Sequence, residues 1–131
     1  MRIELTLLGA TLVLALVQIM AAAHVRTRQY GTKWNVGARD ETMPPLDPLA
    51  GRLVRAQANL FETLPLFIGA VLAAAAAGRL GGKTEIGAHL YFWGRLAYVP
   101  LYAIGVPVVR TIVWGVATFG LVLVIAGLLI G

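Results

Sequence analysis

Residues 5–23, LTLLGATLVLALVQIMAAA, hold no charged side chain and three hydroxyl or amide ones, Thr6, Thr11 and Gln18. A helix needs about 20 predominantly apolar residues to cross the hydrocarbon of a bilayer, and this stretch supplies them. The same letters also fit a secretory signal peptide, with Arg2 as its basic start, Leu5 to Val17 as its apolar core and Ala21-Ala22-Ala23 as a cleavable end. The expectation is a retained, spanning helix.

The rest of the chain points the same way. Its 131 residues suit one domain, and 59% of them are hydrophobic, with a mean hydropathy of +0.80, far above an ordinary soluble domain. Charged residues make up 13%, too few to cover a soluble surface, so the bilayer must supply that surface. The formal charge is +5, but the basic residues are scattered around apolar segments and form no run with interleaved aromatics, so no nucleic-acid partner is expected. The absence of cysteine excludes a disulfide, a thiolate-held metal and a cysteine nucleophile. Any thiol chemistry needs a thiol brought by a ligand.

Beyond the first segment, His24 to Pro48 reads as a polar connector with Arg26, Arg28, Lys33 and Arg39, closed by Pro44-Pro45 and Pro48, which oppose continuous helix. A second helix follows to Gly78, with Gly78, Gly81 and Gly82 at its stop. Two more apolar stretches flank Gly105-Val106-Pro107. The expected fold is an all-α integral membrane protein, a four-transmembrane-helix bundle in a single domain over residues 1–131, with helices near 2–28, 49–78, 86–104 and 107–130. Both termini then share one side with the Gly78 to Glu85 loop. Lysine and arginine concentrate in and beside the first loop, which the positive-inside rule places in the cytoplasm, with the termini outside.

Some polar residues lie where an apolar helix should have none. Arg52, Arg55, Asn59 and Glu62 recur at spacings of three, four and three, so they share one face of the second helix. Arginine or glutamate at the centre of a lone membrane helix costs roughly 2.5–3.5 kcal/mol on insertion scales, so such groups face partners or a water-filled cavity. Arg55 and Glu62 are expected to couple, with Asn59 between them. The plainer reading is a polar network that only fixes helix packing.

The third helix adds Tyr91, Arg95, Tyr98 and Tyr102, again on one face. Tyrosines often form an interfacial belt, but a belt keeps one depth, and this stripe climbs about 16 Å at about 1.5 Å per residue. A wall lining a cleft fits better. Arg110 opens the fourth helix, with Thr111 beside it; as the bland alternative it is a membrane anchor. A cavity among Arg55, Arg95 and Arg110, with Arg26 at the edge of the first helix, would attract a small anion, because guanidinium forks bind carboxylates and stay ionised. His24 and His89 have no carboxylate at ligand spacing, so no metal is expected. No serine-hydrolase elbow, Walker loop or dinucleotide fingerprint is present.

The stretch Arg52-Leu53-Val54-Arg55-Ala56-Gln57-Ala58-Asn59-Leu60-Phe61-Glu62-Thr63-Leu64-Pro65 resembles the second-helix pattern of the membrane-associated proteins in eicosanoid and glutathione metabolism, which include microsomal glutathione transferases and prostaglandin E synthase. Further matches are Val25-Arg26, Gly94-Arg95 with Tyr102 seven residues on, and Arg110. The resemblance covers essentially the whole chain. It implies a left-handed four-helix bundle assembled as a homotrimer, with glutathione as co-substrate between subunits, a small apolar electrophile as the other substrate, membrane lipids around it, and a place in a bacterial inner membrane. On that carry-over Arg26, Arg55, Asn59, Glu62, Arg95, Tyr98 and Tyr102 surround the glutathione, while Arg110, Thr111 and Tyr102 stand at its thiolate. The chain departs from the glutathione-dependent eukaryotic members at Ala58, where they typically carry a basic residue.

The leading expectation is therefore a glutathione transferase or peroxidase. A non-catalytic protein that uses the same network for assembly or for lipid or anion binding is the alternative, favoured by Ala58. A small proton-coupled exporter built around Glu62 is the third, opposed by arginines that would repel a cationic drug.

Overall fold

The computed structural model describes all residues 1–131. Four long helices and one short one follow in order: α1 over Ile3–Tyr30, α2 over Thr32–Val36, α3 over Pro48–Ala76, α4 over Gly82–Ala103 and α5 over Pro107–Ile130. Three of them, α1, α3 and α5, are long and apolar enough to cross a membrane. The fourth long helix, α4, has 22 residues, but Arg95 and its tyrosines dilute its apolar content.

Helix ends sit where backbone chemistry puts them. α3 closes when Gly78 turns left-handed, so that the Arg79 N–H reaches the Ala74 carbonyl at 2.8 Å and the Gly78 N–H reaches Ala75 at 3.2 Å. α4 closes the same way at Gly105, with Val106 N–H on Leu101 and Gly105 N–H on Tyr102, both at 3.0 Å. This paired bonding satisfies last-turn carbonyls that hydrocarbon would leave bare. Pro107 then occupies the first position of α5, where a missing N–H costs nothing.

Several boundaries differ from the sequence expectation. α1 runs to Tyr30, past residue 28, until Gly31 stops it, and the connector holds the short helix α2. α3 starts at Pro48 and ends at Ala76, two residues early, while α4 begins at Gly82, well before residue 86. The cause at α4 is a local cap reinforced by a tertiary contact. The Thr84 hydroxyl accepts the Gly81 N–H at 2.7 Å and donates to Glu4 Oε2 at 2.6 Å, anchoring the first turn to α1.

The core lies where α1, α3, α4 and α5 meet, around Leu8, Leu60, Phe67, Tyr91, Leu121 and Val124. α4 and α5 make the most extensive pairing, and they pack backbone on backbone. A Cβ at Gly120 would stand 2.5 Å from the Gly87 carbonyl oxygen and 2.7 Å from the Tyr91 nitrogen. Small residues of this kind let membrane helices approach closely. Outside the core, α1 and α5 expose Leu12, Val13, Leu16, Ile112, Phe119 and Val122, an outer surface suited to lipid.

The two ends of the bundle differ. At one end Arg2 lies 3.9 Å from Glu85, and Lys83 Nζ donates to the Gly131 carbonyl at 2.6 Å, which gathers both termini around the α3–α4 turn. At the other end Tyr30 donates to Pro44, Gln29 accepts the Asp47 N–H at 2.7 Å, and Arg52 reaches the Ala103 carbonyl at 3.4 Å.

Candidate functional site

The polar stripes of α3 and α4 face each other. Asn59 and Arg95 meet across the interface, where Arg95 Nη1 donates to Asn59 Oδ1 at 2.8 Å. Arg95 is 2% exposed, and its Nε and Nη2 have no partner in the chain. The Tyr98 ring lies 4.5 Å from the guanidinium carbon, a cation–π contact that strengthens as water is removed.

One turn further along α4, Tyr102 joins the helices together. Its hydroxyl accepts from Arg55 Nε at 3.2 Å, and Arg110 of α5 stacks its guanidinium 4.6 Å from the ring centroid. Tyr98 and Tyr102 sit 5.5 Å apart and tilted. Beside them opens a cavity of about 300 Å³ lined by Asn59, Tyr98, Tyr102, Arg110, Thr111 and Trp114. Arg55 and Arg95 back this lining through Tyr102 and Asn59. Neither Arg55, Arg95 nor Arg110 makes an ion pair, since the ion pairs of the chain lie at Arg2. Three guanidinium groups around one polar cavity with no carboxylate paired to them form a strongly positive site.

Most of the residues anticipated for the site converge. Asn59, Tyr98, Tyr102, Arg110 and Thr111 line the cavity, and Arg55 and Arg95 stand behind it. Glu62 is exposed on α3 and makes no ion pair, so the expected coupling of Arg55 to Glu62 is replaced by Arg55 to Tyr102. The reason is length: positions seven apart share a face but lie about 10 Å apart along the axis, beyond direct pairing. Arg26 stays apart, on α1, with its guanidinium 5.8 Å from the Trp34 ring, and α1 does not touch α5. Thr111 spends its hydroxyl proton on the Pro107 carbonyl at 3.0 Å.

Tyr91 belongs to the packing rather than the cavity. It is buried, stacked on Phe67 at 4.1 Å, with its hydroxyl 2.8 Å from Thr63. Trp114 is the lining residue that the sequence reading missed. Its signal was present, since it lies one turn after Arg110 on the same face of α5.

The model of the MAPEG family, the membrane-associated proteins in eicosanoid and glutathione metabolism, matches residues 7–130, nearly the whole chain. This chain belongs to the MAPEG family. No curated protein and no solved structure matches it. The family includes glutathione transferases and related membrane proteins, and generally uses glutathione. MAPEG membership and the three apolar helices together make the chain an integral membrane protein.

Proposed function

We propose that this MAPEG member is a membrane-bound glutathione transferase or peroxidase that presents the glutathione thiolate to apolar electrophiles arriving from the bilayer. The observation that carries the reading is the cluster of Arg55, Arg95 and Arg110 around Tyr98 and Tyr102, none of the three held in an ion pair and Glu62 the one carboxylate close enough to act on Arg95. Glutathione brings two carboxylates and a thiol, and this cluster suits both. Arg95, buried behind the cavity wall with two donors unpartnered, adds positive charge that favours a carboxylate. Arg110 and the Tyr102 hydroxyl, whose proton is unspent, fit the sulfur, with Thr111 beside them. A thiol of pKa about 8.5 is mostly protonated at neutral pH, and adjacent positive charge lowers that value and frees the nucleophile.

On this reading α4 is the fourth membrane span, and the functional unit is a homotrimer in a bacterial inner membrane with the first connector in the cytoplasm. A neighbouring subunit would then bring Arg26 to an intersubunit glutathione that Glu62 meets from the face of α3 carrying Arg55 and Asn59. Ala58 favours the second reading, a non-catalytic protein that binds lipid or another anion through the same arginines, because the carboxylate contact of eukaryotic members is missing there.

Calorimetric titration of the purified protein with glutathione, alongside its mass in detergent, tests the proposal. Saturable heat and a trimer mass are expected, with a rise in thermal stability from ligand bound only to the folded state. No heat and no thermal shift at millimolar glutathione would leave the non-catalytic reading in its place.

A further inference from the structure

Where the connector returns from α1 to α3, the two helices enclose a pocket of about 320 Å³. Its walls are Val25, Arg28, Gln29, Asp47, Leu49 and Ala50, none of them shared with the arginine cavity. Gln29 fixes its shape, since the side-chain amide donates to the Pro45 carbonyl at 3.0 Å and the side-chain carbonyl accepts the Asp47 N–H at 2.7 Å, pinning the returning chain against α1. The pocket lies at headgroup depth. The uncharged run of α1 ends at Ala23, and Arg28 stands about 7 Å beyond it along the helix, within the polar layer of about 5–7 Å that flanks the hydrocarbon on each side.

Two opposite charges line this pocket without meeting. Neither the Arg28 guanidinium nor the Asp47 carboxylate is held in an ion pair, the ion pairs of the chain lying at Arg2. Asp47 occupies the N-cap position of α3, yet its side chain makes no cap bond and stays available. Unpaired charges of both signs suit a ligand that carries both. Below the pocket the walls turn apolar. Val25 stands one turn above Ala21 on α1, and Leu49 one turn above Leu53 on α3; Ala21 and Leu53 belong to a groove of about 460 Å³ that descends past Leu96 and Leu14. A polar head and a hydrocarbon tail therefore find their surfaces in series.

We infer that the pocket is a binding site for the headgroup of phosphatidylethanolamine, with Arg28 on the phosphate and Asp47 on the ammonium group. A guanidinium fork matches phosphate oxygens. A primary ammonium brings three N–H donors to the carboxylate, whereas the quaternary ammonium of choline has none and is recognised by aromatic faces, which these walls lack. A purely anionic headgroup such as phosphatidylglycerol would set its charge beside Asp47 with nothing to offset it. The site is separate from the glutathione reading and stands whether or not the protein is catalytic.

The full-length protein, delipidated in detergent, is supplied with an equimolar mixture of phosphatidylethanolamine, phosphatidylcholine and phosphatidylglycerol of identical acyl chains, and bound lipid is counted by native mass spectrometry. Phosphatidylethanolamine should be held about tenfold over each of the others, the discrimination of one hydrogen-bonded charge. Asp47→Asn removes the carboxylate and leaves Arg28, so the preference should pass to phosphatidylglycerol, a reversal that a merely structural role for Asp47 would not produce. Arg28→Gln should lower phosphatidylethanolamine retention about tenfold. Soluble glycerophosphoethanolamine at millimolar concentration should not displace the lipid, because it has no chain for the groove. Lipids bound in proportion to their supply overturn the inference, as does an ethanolamine preference that survives Asp47→Asn or Arg28→Gln. Displacement by the soluble headgroup would overturn the membrane as the source of the ligand.

Discussion

Replacing Asn59 by leucine isolates the one side-chain hydrogen bond that supports the buried Arg95 charge. Arg95 is 2% exposed and donates once, to Asn59 at 2.8 Å, while Nε and Nη2 are already bare. A hydrogen bond to a charged group contributes about 1.5–3 kcal/mol, and removing the acceptor strands a third donor. The Tyr98 ring at 4.5 Å persists and holds part of the charge energy. Asn59→Leu should therefore destabilise the fold by about 2–3 kcal/mol. Arg95→Met alone strands the Asn59 amide instead, at about 1–3 kcal/mol. The double variant Asn59→Leu/Arg95→Met removes both partners and leaves an apolar contact, so its loss should fall short of the sum by about 1–3 kcal/mol. Unfolding in mixed micelles by a rising mole fraction of dodecyl sulfate, followed by far-ultraviolet circular dichroism, gives the four stabilities of the cycle. Additive losses, or an Asn59→Leu effect below about 0.5 kcal/mol, would refute the reasoning, because Arg95 would then be solvated or held elsewhere.

If glutathione binds, its bound thiol should ionise about one pKa unit or more below 8.5, and Arg110→Leu should return it upward, worth about 1.4 kcal/mol per unit; thiolate ultraviolet absorbance measures this, and an unshifted thiol would make Arg110 a membrane anchor. Gly120→Leu should abolish the folded state or cost more than about 3 kcal/mol in the same micelle assay, since its side chain would meet the Gly87 and Tyr91 backbone under 3 Å away; near-normal stability would mean that α4 and α5 are less closely packed. In this cysteine-free chain, Lys33→Cys should resist an impermeant thiol reagent added to intact cells while Gly131→Cys reacts, and the reverse labelling would invert the topology.

What the sequence made legible was set by periodicity. Side chains four and three apart must share a helix face, so Arg55, Asn59, Arg95 and Tyr102 were readable as stripes before any helix had a neighbour. Their pairings were not readable, because spacing says which face a residue takes and nothing of which helix stands opposite. Hence Arg55 was matched to Glu62 on its own helix, whereas it bonds Tyr102 across the bundle. Tyr91 fell in the cleft stripe by position, yet Phe67 and Thr63 claim it for the core. The first turn of α4 is capped by Thr84 on the Gly81 N–H and also tied to Glu4, eighty positions away, a contact no local propensity encodes.

One chain alone leaves several polar groups without partners. Within the chain Arg95 lacks partners for two donors, Glu62 has no cation, and Arg26 leaves its buried Nε unmet while Trp34 covers its face. Unmet groups of opposite sign inside a hydrocarbon-facing bundle are unfavourable singly and favourable once joined, because each arginine or carboxylate is desolvated whether or not it is paired. The charges of Arg95 and Arg110 beside the cavity at Asn59 therefore favour an anionic ligand over an empty site. Glu62, acidic and exposed on the face that carries Arg55 and Asn59, suits the ammonium group of the same ligand or an arginine from a second chain. A zwitterionic thiol peptide supplies both signs at once, which a simple inorganic anion does not, and Glu62→Gln should accordingly weaken glutathione binding while leaving phosphate binding unchanged in parallel titrations. Equal weakening of both, or of neither, would remove Glu62 from the site.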